Sequence, residues 1–343
     1  MRLRFILGLV VSAIFVFLAF RKVNYHEMLA TLKSAEYIWL VPAIAFMFVS
    51  HWLRAVRWRY FIEPIKAVKT VPLFSAVMIG YAANNLFPLR IGEFLRAYAV
   101  GKSQQISKSS AFATVIVERL VDVLSLLILL AGTILISPLP QIIRKSGYVI
   151  FIVTIAVILL LVFLMENTER TVNLLRLFLP DQIFNFVQKI VRSFLKGFMV
   201  FKKTEHYLII IVLSILVWSL YAATVYVSFY AFDFQSNFNL DVISSFVVLV
   251  TISIGIMIPS SPGFVGTYHW FAIMGLAFCG VPKSEASSYA LISHAMNVVP
   301  ITFVGLIFFW RENLHFSDAV IEKEKIEHEI EEEQMSDATN SQS

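Results

Sequence analysis

Eight apolar runs, most of them close to the length of a bilayer crossing, leave this chain few ways to fold. They are Phe5–Phe20, Tyr37–Leu53, Val71–Phe87, Ala111–Ile136, Tyr148–Met165, Tyr207–Phe232, Val242–Ile258 and Ser287–Trp310. A membrane-crossing helix needs roughly 20 apolar residues. A water-soluble fold would have to bury all eight runs in one core, and they lack the polar faces that such a fold exposes. Strands of a membrane barrel alternate over about 10 residues, which these runs do not. The sequence therefore predicts an all-α, polytopic integral membrane protein with about eight spans plus two re-entrant or broken segments.

The first run has the basic start of a signal peptide, Arg2 and Arg4. Arg21 and Lys22 follow it where small cleavage-site residues would stand, so it is expected to remain as the first span. The single cysteine, Cys279, allows no intramolecular disulfide and no cysteine-based zinc site, and is expected to fill the core. Charge falls in two blocks. From Asp318 onward nine acidic residues stand with two lysines, whereas 26 Lys/Arg face 14 Asp/Glu before it. Residues 1–312 are expected to form one transmembrane domain with halves of about 1–140 and 141–312. Residues 313–343 form an acidic cytoplasmic tail, read either as a solvated, disordering helix or as a docking segment for a partner.

The two breaks are NNLFPLRIGEFLR (Asn84–Arg96) and PSSPGFVGTYHW (Pro259–Trp270). Each follows an apolar run and leads into a short apolar stretch, a small polar loop and a long apolar helix. Sliding the sequence by 175 positions lays Lys108 over Lys283, Ser109 over Ser284, Ala111 over Ala286 and Asp122 over Asn297. Upstream, Gly80 meets Gly255, and a one-residue gap brings Pro88 over Pro262 and Gly92 over Gly266. An internal duplication is expected, and five passes per half would invert the second copy. With a cytoplasmic N-terminus and ten alternating passes, 17 Lys/Arg before the tail lie inside and seven outside, the bias that the positive-inside rule requires. The segment after Gly92 is too short to span, so its backbone must be covered by protein or a wet cavity. Matched Gly/Pro interruptions in two halves point to a transporter's binding site. Pro88, Gly92, Pro259, Pro262, Gly263 and Gly266 mark that backbone, the last two glycines allowing close approach of a ligand.

Several polar residues stand at or near the breaks. Asn84 and Asn85 open the first. Arg90, Glu93 and Arg96 fall at i, i+3 and i+6. If a helix starts after Pro88, its free N–H groups favour an anion that Arg90 and Arg96 could clamp as a phosphate, with Glu93 orienting an arginine or coupling protons. The alternative is an interfacial salt-bridge cluster that fixes topology. Glu118, Arg119 and Asp122 lie inside an apolar run. A charge at mid-bilayer costs at least ~2.5–3.5 kcal/mol, so they either sit near the membrane surface or face a cavity in which Arg119 meets a phosphate or carboxylate. In the second half Ser260, Ser261, Thr267, His269, His294 and Asn297 replace most of the charge. His269 and His294 repeat the interval from Glu93 to Glu118 and are read either as structural hydrogen-bonding groups or as ligand groups. No catalytic residue, cofactor, metal site or nucleic-acid partner is expected. Between Leu174 and Lys203, Ile183, Val187, Ile190, Phe194 and Phe198 recur at helical spacing around Lys189, Arg192 and Lys196. This predicts a basic amphipathic helix, either drawn to anionic lipid or serving as a topological anchor.

The segments NNLFPLRIGEFLRAYAVGK, VERLVDVLSLLILL and PSSPGFVGTYHW resemble the transmembrane domain of the lysylphosphatidylglycerol synthase/flippase family, over nearly the whole chain to about Arg311. The resemblance implies a protein of the bacterial cytoplasmic membrane that moves lipids with charged head groups between leaflets. It places Asn84, Pro88, Arg90, Gly92, Glu93 and Arg96 on the family's first motif. Glu118, Arg119 and Asp122 fall on the second, and Pro262, Gly263 and Gly266 on the third. The third motif often ends in Glu where this chain has His269, and an Arg is common near His294. The head group is therefore not copied from aminoacyl-phosphatidylglycerol members, and without an aminoacyl-transfer domain synthase activity is not inherited. The expected function is a flippase-like translocase for a phosphate-bearing phospholipid or polyprenyl-phosphate lipid. The alternatives are an intramembrane enzyme acting on such head groups and a non-transporting scaffold for envelope synthesis.

Overall fold

The computed structural model describes residues 2–87, 90–136, 152, 155–156 and 206–314. Pro88, most of the run Tyr148–Met165, the stretch with Lys189, Arg192 and Lys196, and the acidic tail from residue 315 lie outside them. Among the described residues there is no strand, and eleven α-helices follow one another. They are α1 (Arg2–Phe20), α2 (Tyr25–Ser34), α3 (Leu40–Ile62), α4 (Thr70–Leu86), α5 (Gly92–Gln104), α6 (Lys108–Ile136), α7 (Tyr207–Tyr230), α8 (Phe234–Asn237), α9 (Val242–Met257), α10 (Thr267–Phe278) and α11 (Lys283–Arg311).

Four segments are long and apolar enough to cross a membrane: Tyr37–Ile62, Lys108–Ile136, Tyr207–Tyr230 and Lys283–Arg311. A fifth crossing is available if α1 and α2, bent by 86°, act as one broken span. The bend falls where Lys22 takes a left-handed backbone and the Asn24 side chain accepts the His26 N–H to start α2. The runs Val71–Phe87 and Val242–Ile258 become α4 and α9, of 17 and 16 residues. At 1.5 Å per residue each reaches about 25 Å, short of a hydrocarbon core of about 30 Å. Both stop at the breaks. The long helices turn apolar faces outward, as Leu208, Ile211 and Ile215 on α7 and Val299, Phe303 and Trp310 on α11 show. That is the surface a bilayer covers.

The helix boundaries repeat as the sequence does. Helices α6 and α11 each have 29 residues and begin 175 positions apart, at Lys108 and Lys283. Helices α5 and α10 begin at Gly92 and Thr267, again 175 apart. Packing is exchanged between halves: α4 lies against α11, and α9 lies against α6, while α3 and α7 pair across the centre. Each half also folds its short helix back on its neighbours, α5 on α4 and α6, α10 on α9 and α11. This return is possible because a Cβ on Gly92 would overlap the Gly80 carbonyl. Only glycine lets the two backbones meet there.

Candidate functional site

The first break is built by its own side chains. Helix α4 ends at Leu86, and α5 starts at Gly92, whose N–H donates to Asn84 Oδ1 at 2.8 Å. Asn84 Nδ2 lies 3.4 Å from Glu93 Oε2. Asn84 thus supplies the acceptor that the opening of α5 lacks. At the second break the Gly266 N–H donates to His269 Nδ1 at 3.3 Å, and the Ser260 and Thr267 hydroxyls stand 3.1 Å apart. Ser12 of α1 bonds the Ser261 hydroxyl at 2.6 Å and also the Val265 carbonyl, which ties this loop to the first helix. The gapped repeat lays Arg90 on Phe264, and both hold left-handed backbone conformations, φ 53° and 58°. Such angles are uncommon for residues with a side chain. The two residues also meet: the Arg90 guanidinium lies 5.5 Å from the Phe264 ring and donates to the Ile256 carbonyl.

Beneath the breaks lies a charge network. Glu118 is fully buried, 2.6 Å from both Arg54 Nε and Arg96 Nη2 and 3.6 Å from Arg57 Nη2. Asp122 takes Arg57 Nη2 at 2.6 Å and also pairs with Arg54. Arg57 and Arg54 reach further to Ser214 (2.9 Å) and to the Tyr221 hydroxyl (3.3 Å). Buried charges persist only when paired and hydrogen-bonded in this way. Arg119 differs. Its two carboxylate partners, Glu93 and Asp122, both stand at 3.7 Å, and its side chain keeps 38% of its accessibility against 4% or less for Arg54, Arg57 and Arg96.

The accessible face of Arg119 opens into a cavity of about 320 Å³ that touches both breaks. The first half contributes His51, Arg54, Tyr81, Asn84, Asn85, Arg90, Glu93, Arg119 and Asp122 to its wall. The second contributes Trp218, Tyr221, Ser253, Gly263, Phe264, Tyr268, His294 and Asn297. His294 Nε2 donates to the Gly263 carbonyl at 2.7 Å, which leaves Nδ1 as the acceptor nitrogen. Asn297 Nδ2 donates to the Ser293 carbonyl at 2.8 Å. Asn85 donates to Thr302 at 3.0 Å.

Of the residues expected from sequence, Asn84, Asn85, Arg90, Glu93, Arg119, Asp122, Gly263, His294 and Asn297 are brought together on this wall. Glu118, Arg96, Thr267, His269, Gly92 and Gly266 are buried behind it, and Ser261, Pro262 and Pro259 stand apart from it. The expected Arg90/Glu93/Arg96 face does not form as one surface, because the helix starts at Gly92 and leaves Arg90 outside it. Arg96 turns the other way, to Glu118 and onto the Trp58 ring at 3.6 Å. Arg54 and Arg57 fall beyond the apolar run Tyr37–Leu53, where the sequence reads as a basic loop. Helix α3 instead continues to Ile62 and carries both inward. Their spacing of three, on one helix face, is the signal that identifies them. His51, Tyr81, Trp218 and Tyr221 lie within or beside apolar runs and give no such signal.

Over 300 residues the chain is 27% identical to a UPF0104 membrane protein of Methanothermobacter thermautotrophicus, covering 82% of this chain and 87% of that one. It is 24% identical over 363 aligned positions to glycosyltransferase AglD of Haloferax volcanii, covering 96% of this chain and 58% of AglD. Both relatives are archaeal. No solved structure matches the chain. The family model described as the lysylphosphatidylglycerol synthase TM region matches residues 5–305. With that match and its apolar helices, the chain is a polytopic membrane protein that belongs to the lysylphosphatidylglycerol synthase transmembrane-region family.

Proposed function

We propose that this protein is a translocase that carries a phosphate-bearing lipid, a phospholipid or a polyprenyl phosphate, between membrane leaflets. The observation that carries the reading is the partly accessible side chain of Arg119, held loosely in a cavity that joins the two breaks. Arg54, Arg57, Arg90, Arg96 and Arg119 stand around three carboxylates, Glu93, Glu118 and Asp122, so the surroundings favour an anion. The cavity is near the lower end of small-ligand sites, which span about 300–1,000 Å³. It has room for a head group but not for acyl chains as well, and the chains stay in lipid. Exposed Arg90 stands at the break and hands the phosphate to Arg119, whose planar donors suit its oxygens. The duplicated, exchanged halves supply two bodies able to rock about the site, as inverted repeats do. The distribution of Lys/Arg supports cytoplasmic termini, with the basic stretch around Lys189, Arg192 and Lys196 resting on anionic lipid.

Reconstitution tests this reading. Vesicles carrying a fluorescent phosphate lipid are treated with an impermeant quencher. The parent protein brings the inner-leaflet label out, and Arg119→Ala and Arg90→Ala slow that phase at least tenfold. Equal rates for the parent and both variants would sink the proposal. The name of AglD favours a second reading, a membrane enzyme acting on polyprenyl-phosphate head groups. Chemically unchanged lipid recovered after transport counts against it.

A further inference from the structure

Beside its arginines the cavity wall carries aromatic and uncharged polar groups that the translocase reading does not use. The wall between α3 and α7 holds two nine-tenths-buried polar side chains with unmet hydrogen-bonding atoms. His51 is 5% exposed, and neither ring nitrogen has a partner. Trp218 is 9% exposed, and its indole N–H has none either. Leaving such atoms unmet is costly, so water or a ligand is expected to satisfy them. Both side chains sit in an aromatic setting: the His51 ring lies 4.7 Å from Tyr81 and 6.1 Å from Tyr221, and Trp218 is 5.8 Å from Tyr221. From the other half, His294 Nδ1 and Asn297 Oδ1 add acceptors to the same cavity. Their bonded partners are taken by other atoms of those side chains.

The combination of aromatic faces, N–H donors and neutral acceptors suits a group whose every hydroxyl both donates and accepts. An ammonium group fits poorly. The carboxylates on this wall, Glu93 and Asp122, are both engaged by arginines. Resting on the translocase reading, we propose that the His51/Trp218 wall together with His294 and Asn297 is a subsite for a polyhydroxylated group, and that the preferred head group is a glycosyl phosphate. Arg119 takes the phosphate and the neighbouring aromatic wall takes the sugar.

The test titrates the purified full chain with three lipid probes, read by native mass spectrometry: a bare polyprenyl phosphate, the same lipid as its glucosyl phosphate, and phosphatidylglycerol. The glucosyl lipid should bind about tenfold tighter than the bare phosphate, about 1.4 kcal/mol. Trp218→Phe keeps the ring and removes the N–H, and should narrow that ratio to below about threefold. Asn297→Leu should do the same by removing the acceptor, and stands in if Trp218→Phe is not monodisperse. Phosphatidylglycerol binding as tightly as the glucosyl lipid supports the polyhydroxyl subsite with glycerol as its source and overturns the sugar assignment. A parent ratio near one, or a ratio unchanged in both variants, overturns the subsite while leaving phosphate binding and translocation intact. If no phosphate lipid binds or moves, the translocase reading fails and this inference fails with it.

Discussion

The two halves share a backbone plan and differ in chemistry. At positions 175 apart, Glu118, Arg119 and Asp122 on α6 correspond to Ser293, His294 and Asn297 on α11, and Arg54 and Arg57 on α3 correspond to Phe229 near the end of α7 and Phe232 just past it. The first set forms an ion network. The second forms a neutral one, in which the Tyr268 hydroxyl donates to Ser293 at 3.2 Å and Phe229 packs 5.7 Å from Tyr289. The left-handed residue at each break, by contrast, is kept in both copies. What the two halves share is therefore the interruption and the return of the short helix. What differs is the lining. A cavity shared by two like halves would have no preferred orientation for its guest. Unlike linings give it a side from the first half that carries the arginines and carboxylates and a neutral side from the second.

The contrast breaks or holds first at Glu118. Removing one partner of a buried ion pair strands the other charge and costs about 3–5 kcal/mol. Glu118 is surrounded by three arginines, so Glu118→Ala should lose that much stability, measured by denaturant unfolding in detergent micelles. The repeat-related Ser293→Ala removes two neutral hydrogen bonds, one from the Tyr268 hydroxyl and one to the Ala290 carbonyl, and should lose only about 1–2 kcal/mol. Equal losses would mean that the ion network is no more demanding than its neutral counterpart.

A smaller effect is expected at the cap of the first break. Asn84 is 9% exposed and gives the Gly92 N–H its acceptor. Asn84→Ala should therefore cost about 1–2 kcal/mol, the upper part of the range for helix caps. At the second break His269→Phe keeps a buried ring, loses the longer bond to Gly266 and should cost less. The same unfolding assay reads both, and a larger loss at His269 would reverse the order of the two halves.

Much of this plan was legible in the sequence. The matched breaks, the 175-residue offset and the family pattern all lie in local motifs, and the helix starts of α5, α6, α10 and α11 keep that offset. The charged wall was legible in part. Glu118, Arg119 and Asp122 are conspicuous because hydrocarbon penalises charge. Arg54 and Arg57 were hidden because the apolar run ends at Leu53 while the helix continues for nine residues to Ile62. Composition alone does not separate a basic loop from a basic final stretch of a buried helix. The direction of Arg96 depends on where α5 begins, and a shift from Pro88 to Gly92 rotates every later side chain. His51 and Trp218 could not be singled out, since a buried ring in an apolar run looks the same whether or not its N–H is met.

The smallest effect lies at the helix starts that lead into the breaks. Helix α9 is capped: Asp241 Oδ1 accepts from the Ser244 N–H and hydroxyl, both at 2.8 Å. Helix α4, its counterpart, follows Lys69 with no side-chain cap, although Lys69 has the extended backbone that a cap residue needs. Asp241→Ala should cost about 0.5–1 kcal/mol at neutral pH. Burial pushes the Asp241 carboxyl upward, but the Ser244 bonds outweigh it and hold the group below the ordinary aspartate value. A depressed carboxyl contributes its stability above the unfolded-state value, near ~3.9, and loses it as pH falls through the folded-state value. The gap between parent and Asp241→Ala should thus be full at pH 7 and shrink below about pH 4. Asp241→Asn keeps the cap without the titration, so its stability relative to Asp241→Ala should stay level across the same range. Lys69→Asn is the reciprocal change, giving α4 the cap that only α9 has. It should stabilise the first half by up to about 1 kcal/mol, and no gain would mean that the start of α4 is already satisfied by the packing that holds it against α11.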